Sequence, residues 1–181
     1  MRLLLTTGLL ILCGCWSSDI VSFDQTAVGQ PHDGLRLSVS VDTGITTTGS
    51  ASSFGSAKSN KPYGIRLNAT DMSMQYKHVL VTELTIEFDD GEPAPLVIVP
   101  VTLAFARSKW SNSGSQGIVH HEGMVLGGTI PGAVDRDVAF TLYLKGEFVL
   151  IDGVEPFELK QKFTPRHDKR TVPIWEVWKE I

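Results

Sequence analysis

The sequence predicts an all-β protein, an antiparallel β-sandwich, and three observations lead there. Apolar and polar residues alternate with a period of two in stretch after stretch, Gly, Pro and Asp-Gly pairs separate the stretches, and helical spacing of apolar residues occurs only at the C-terminus. Seven or so strands in 181 residues suit two packed sheets. An immunoglobulin-like outline is one arrangement, without the cysteine pair of antibody domains, and a small β-barrel is the alternative.

The elements follow in order. Leu35, Leu37, Val39 and Val41 share a face against Arg36, Ser38, Ser40 and Asp42, and Ile65, Leu67 and Ala69 oppose Arg66 and Asn68. Leu80, Thr82, Leu84, Ile86 and Phe88 form one face of the next strand, which Asp89-Asp90-Gly91 ends. Val97, Val99, Val101, Leu103 and Phe105 then return as the second half of a hairpin with a long turn stiffened by Pro93 and Pro95. Pro100 cannot donate to a ladder, so an edge or a bulge is expected there.

A strand is predicted over Ile118 to Leu126, followed by a Gly-rich link through Gly127, Gly128 and Gly132. Val138, Phe140, Leu142, Leu144, Phe148 and Leu150 share a parity, with Gly146 as a bend. Phe157, Leu159, Gln161 and Phe163 follow after Asp152-Gly153. A two-residue turn would set Lys145 opposite Lys160 and Glu147 opposite Glu158, which is unfavourable, whereas a register shifted by two pairs Lys145 with Glu158 or Glu147 with Lys160. A longer loop is therefore expected. At the end, Ile174, Val177, Trp178 and Ile181 stand at i, i+3, i+4 and i+7 after Pro173, so a short C-terminal helix is predicted, a strand being the alternative.

The first residues read differently. Met1-Arg2 supplies a positive charge and Leu3 to Leu12 an apolar run too short to span a bilayer, the pattern of a secretory leader. Leu12-Cys13-Gly14-Cys15 closes that run and resembles the lipobox of bacterial lipoproteins, a likeness that covers the first fifteen residues. The resemblance implies that the Cys15 thiol is acylated, that residues 1–14 are removed as a signal peptide, and that lipidation provides a membrane anchor in the cell envelope. Trp16 rather than Asp after the cysteine implies the outer membrane. Residues 15–33 then read as the lipidated N-terminus and a spacer, and 34–181 as the β-sandwich domain.

Cys13 leaves with the leader and Cys15 becomes a thioether, so the mature domain holds neither free thiol nor disulfide. Loss of Arg2 leaves 15 basic against 20 acidic residues, a formal charge of −5, which argues against nucleic acid as a partner.

Candidate sites are sparse. Thr43 to Asn60, rich in Thr, Ser and Gly, reads as a long loop or a poorly packed edge strand in which Phe54 and Lys58 are candidate binding residues. A second loop, Arg107 to Gly117, presents Trp110 for stacking on a sugar or packing against a protein, the competing role being to cover the sheet end. His120 and Glu122 share a face of a strand as weak metal candidates, short of the three or four ligands zinc needs. Asp89, Asp90 and Glu92 are weaker calcium candidates. Arg166 to Arg170 reads as a solvated turn.

No Gly-x-Ser-x-Gly elbow, His-Glu-x-x-His helix or Gly-x-x-x-x-Gly-Lys loop occurs, and Asp135 with Asp137 would serve as acid and base only in a cleft. No cofactor or resident metal and no catalytic residue is expected. The sequence therefore points to a tethered binding or assembly module for another envelope protein, with glycan or metal binding as the alternative and an enzyme as the remotest reading.

Overall fold

A computed structural model of the chain describes residues 15–24, 26–27, 34–48, 55–97, 99–114 and 117–173. These residues are built from strands, and no helix occurs among them. The strands are β1 (Cys15–Phe23), β2 (Thr26–Ala27), β3 (Leu35–Asp42), β4 (Ile45–Thr48), β5 (Gly55–Ser59), β6 (Tyr63–Asp71), β7 (Tyr76–Phe88), β8 (Val101–Ala104), β9 (Ala106–Gly114), β10 (Gly117–Val134), β11 (Phe140–Leu150), β12 (Val154–Phe163) and β13 (Pro165–Pro173). They form three sheets: sheet A in the order β13-β1-β5-β4, sheet B β2-β3-β6-β10-β9, and sheet C β12-β11-β7-β8. None closes on itself, so the fold is all-β and sandwich-like, and the small barrel is ruled out.

The chain divides into two compact units. One comprises Met1–Ser22, Thr43–Asn60 and Arg166–Ile181, the other Phe23–Asp42 and Lys61–Pro165.

The second unit is a sandwich of sheets B and C. Leu35, Leu37 and Val39 of β3, Tyr63, Ile65 and Leu67 of β6, and Leu126 and Ile130 of β10 are buried from sheet B. Val79, Val81, Ile86 and Phe88 of β7, with Phe140, Leu142, Leu144 and Phe148 of β11, are buried from sheet C. Alternation puts each set on one face, and the faces meet: Leu103 of β8 lies over Gly128 of β10, and Phe23 contacts both Tyr63 and Phe140, with ring centroids 6.0 and 5.6 Å apart. Phe140 also packs on Phe88 and Phe163 at 5.7 and 5.1 Å. Ring pairs at these separations add to the burial of apolar area.

The β7 pattern breaks in the middle. Val79 and Val81 are buried upstream but Leu84, Ile86 and Phe88 face inward downstream, while Thr82 and Glu83 are both exposed. The register against β11 shifts between Lys145–Glu83 and Gly146–Val81, so a bulge inserts one residue and switches the parity. The single face expected from Leu80 to Phe88 is corrected accordingly. Gly146 meets a physical limit here, because a Cβ there would collide with the Leu80 carbonyl oxygen and the Phe157 ring.

The two hairpins of sheet C otherwise follow the sequence pattern. β8 returns antiparallel to β7 as an edge strand, with Pro100 just ahead of it, although only Val101–Ala104 joins the ladder. β11 and β12 pair through Lys145–Glu158 and Val149–Val154, the register shifted by two, and the Leu150 amide donates to Gly153 O across the connection.

β10 departs furthest from expectation. Its 18 residues run without a link through Gly127 and Gly128, pairing with β6 from Met124 to Ile130, and a register shift between Ile130 and Val134 accommodates Pro131 and Gly132. Arg107 to Gly114 is likewise strand: β9 pairs with β10 from Gly117–Gly114 to Val125–Ala106.

The first unit contains sheet A. Its β1 and β5 pair in parallel from Trp16–Gly55 to Asp19–Lys58, against the all-antiparallel expectation, and β4 extends the sheet antiparallel to β5. Ser59 Oγ ties β5 to β1 by accepting from Val21 N (2.9 Å) and donating to Val21 O (3.3 Å). Within 15–33, read as a spacer, residues 15–23 and 26–27 are strand. Arg166 to Arg170 is strand β13 rather than a turn. Of the predicted C-terminal helix, Pro173 ends β13, and residues 174–181 lie outside the described residues.

Candidate binding surface

Trp110 sits on β9, the edge strand of sheet B, directly opposite His121 of β10. The inner face of β10 carries Leu126 and Ile130, so alternation places His121, Gly123, Val125, Gly127 and Thr129 on the outer face together with Trp110 and Ser108. The Trp110 and His121 rings lie nearly parallel, 21° apart with centroids at 5.8 Å.

Gly123 makes this arrangement possible. A Cβ there would lie 3.0 Å from the tip of the Trp110 indole, 3.5 Å from Met72 Sδ and 2.8 Å from the Asp71 carbonyl oxygen. Any larger residue must displace the indole and strain the backbone of β6. Trp110, half-buried, therefore lies beside Met72, which is 45% exposed.

Met72 owes its position to Asp71. This carboxyl is fully buried and accepts from Ser73 N (2.7 Å), Ser73 Oγ (2.6 Å), Gln75 N (2.8 Å) and Tyr76 N (3.1 Å), which fixes the β6–β7 turn with Met74 in the left-handed region (φ 58°). Burial, then the charges of Glu155 and Asp71, push the Tyr76 hydroxyl up to about 12. That hydroxyl donates to Glu155 Oε2 at 3.5 Å, and Glu155 also lines a depression of about 290 Å³ with Gln75 and residues 150–154 of the β11–β12 turn.

Beyond Gly123 the outer face of sheet B becomes polar. Arg66 Nε donates to Asn68 Oδ1 at 3.2 Å, Arg66 also faces Asp42 at 3.9 Å, and Thr129 Oγ1 donates to the same Asp42 carboxylate at 3.2 Å. The surface thus passes from an aromatic and thioether end to a hydrogen-bonded polar end.

The other sequence candidates fall as follows. Glu122 lies on the opposite face of the β9–β10 ribbon, held by Arg107 at 2.7 Å and Lys109 at 3.8 Å. His120 is opposite Ser111 in the ladder, and its side chain lies outside the described residues. No group of three metal-ligating side chains occurs among the described residues. Asp89 binds Lys162 at 2.8 Å, and Asp90 faces Arg136 at 3.6 Å while accepting from Glu92 N at 3.0 Å, so basic groups and a turn amide occupy these carboxylates.

Asp135 and Asp137 are not paired as acid and base. Arg136, hydrogen-bonded to Asp135 at 2.7 Å, holds that carboxyl below the usual range, whereas Asp137 binds Lys61 at 2.6 Å and accepts from Tyr63 at 2.8 Å. Lys58 is exposed on β5 in the other unit, and Phe54 lies outside the described residues.

Met72 and Gly123 escaped sequence reasoning. The signal was present: had Arg107–Gly114 been read as a strand folding back onto Ile118–Leu126, Trp110 would have fallen opposite His121.

Fold and surface together define a sandwich-like all-β protein with an aromatic platform on the outer face of one sheet. Comparison with protein-family models, characterised proteins and solved structures found no match to the chain.

Proposed function

We propose that the chain is a lipoprotein of the bacterial cell envelope, anchored in the outer membrane through acylated Cys15, whose sandwich binds another envelope protein through the Trp110 surface. The Leu12-Cys13-Gly14-Cys15 sequence supports the anchor. Two or three acyl chains, each buried methylene contributing about 0.8 kcal/mol, would hold the protein at a membrane without help from the domain.

The observation that carries the binding reading is Trp110 lying beside exposed Met72 above a glycine that leaves room for both. Trp and Met are enriched where proteins meet, and a rigid indole loses little conformational entropy on binding. A photo-crosslinker at Ser108 in native membranes is expected to recover one envelope protein repeatedly. Recovery should fall on competition with the purified domain and on Trp110→Ala. Recovery unaffected by either treatment would sink the proposal.

The polar end of the same face, with Arg66, Asn68 and Thr129, favours glycan binding as a second reading. Cell-wall sugars would then raise the melting temperature of the parent and not of Trp110→Ala. Zinc at His120 and Glu122 is disfavoured, since it must displace Arg107 and Lys109 from Glu122.

A further inference from the structure

We infer that the face of sheet A that carries Lys58 and Lys169 lies against an anionic lipid surface, so that the tethered protein rests on the membrane by this face instead of swinging clear of it. The inference rests on the acylation of Cys15 proposed above. Its first ground is distance. A disordered spacer of n residues would give a reach of roughly 5–6 Å × √n. Here Cys15 is itself the first residue of β1, and the ladder to β5 begins at the next residue with Trp16–Gly55. An acyl group on residue 15 is thus separated from a hydrogen-bonded strand pair by about one Cα–Cα step of 3.8 Å.

Charge is the second ground. The whole chain carries −4, yet the described residues of this unit hold Lys58, Arg166, Lys169 and Arg170 against only Asp19 and Asp168. The acidic excess therefore lies elsewhere. Lys169 faces Asp19 at 3.8 Å and Arg170 binds Asp168 at 2.9 Å, both cations remaining 70% exposed. Lys58 and Arg166 are exposed and in no ion pair among the described residues.

The remaining exposed surface of the sheet is rich in hydroxyls. Ser17 on β1 and Thr46, Thr47 and Thr48 on β4 are exposed, and β4 and β5 carry no carboxylate. Hydroxyl donors and exposed cations suit phosphate headgroups, and juxtamembrane basic residues attract anionic lipid over about one Debye length.

The thiol-free mature domain allows a direct test. Single cysteines at His167→Cys and Thr46→Cys on the Lys58 face of sheet A, and at Thr47→Cys on its opposite face, would carry a fluorophore on the full acylated protein. The protein is reconstituted into vesicles containing a headgroup nitroxide quencher, with phosphatidylglycerol in phosphatidylcholine or with phosphatidylcholine alone. Quenching is expected at 167 and 46 in the anionic vesicles and not at 47, weakening as salt is raised.

Reversing Lys58 and Lys169 together to Glu should reduce the surface-bound population about tenfold or more. Equal quenching at all three positions, or the same quenching without phosphatidylglycerol, would overturn the inference. Mass measurement of the N-terminal peptide separates the two claims. An acylated Cys15 with uniform quenching defeats the membrane-facing sheet alone, whereas an unmodified Cys15 defeats the anchor and this inference together.

Discussion

The β11–β12 and β9–β10 hairpins are both antiparallel pairs at a sheet edge, and they are built on opposite terms. β11 and β12 bury Phe140, Leu142, Leu144, Phe148, Leu159 and Phe163, and on the exposed side Lys145 lies between Glu158 at 3.4 Å and Glu83 at 3.6 Å. The inward side chains of that hairpin have core neighbours, and Lys145 has partners on both adjacent strands. The outer end of β9–β10 is made instead of Ser, Asn and Gly, with one indole lying across Gly123. Its backbone ladder runs from Gly117–Gly114 to Val125–Ala106. The first hairpin is shaped for stability, and the second is where the proposed recognition surface lies.

Mutations should separate the two. Phe140→Ala removes a fully buried ring that touches three others and is expected to cost about 3–5 kcal/mol, measured by urea denaturation. A loss under 1 kcal/mol would mean that the two sheets are not packed through this ring. Gly123→Ala should cost about 1–3 kcal/mol, since its Cβ would meet the Asp71 carbonyl, and it should also change Trp110 fluorescence. Unchanged emission would place the indole elsewhere.

Tyr76 supplies a pH-dependent comparison. Its hydroxyl ionises near 10 in the unfolded chain and near 12 in the folded one. Protonated Tyr76 is therefore favoured by folding, and its contribution is complete below pH 10 and is lost as pH rises from 10 towards 12. Parent and Tyr76→Phe should differ in the slope of stability against pH across that window, with the parent falling more steeply. Parallel slopes would contradict the burial of the hydroxyl beside Glu155.

The smallest effect belongs to Lys145. Its ammonium is raised by its hydrogen bond to Glu158 and by the charges of Glu158 and Glu83, but it is exposed to solvent. Lys145→Ala is expected to leave stability almost unchanged, and 1 M salt should erase any difference from the parent. A larger or salt-insensitive loss would mean that the pair fixes the register energetically and not only geometrically.

The same contrast explains what the sequence discloses. Strands with one buried face, such as β3, β6, β11 and β12, must alternate, and their parity could be read directly. Charge pairing even selected the Lys145–Glu158 register. β7 misled because one extra residue near Thr82 reverses the parity, and an insertion of that kind leaves no mark in an alternating pattern.

β1, β9 and β13 were hidden for another reason. They lie near or at sheet edges and carry Ser, Asn or charged residues, while the ladder that holds them uses backbone groups common to every sequence. Gly127 and Gly128 read as a link although they lie within β10, where Leu103 packs directly over Gly128. The Trp110 surface was half legible. The indole was visible, but its neighbours depended on a strand pairing that composition concealed.

Mass spectrometry of the N-terminal peptide from protein isolated with its native membranes tests the tethered-module proposal most directly. The chain should begin at residue 15 with an acylated cysteine, and Cys15→Ser should release or misprocess the protein. A mature chain that retains residues 1–14, or one that carries an unmodified thiol at Cys15, would contradict it.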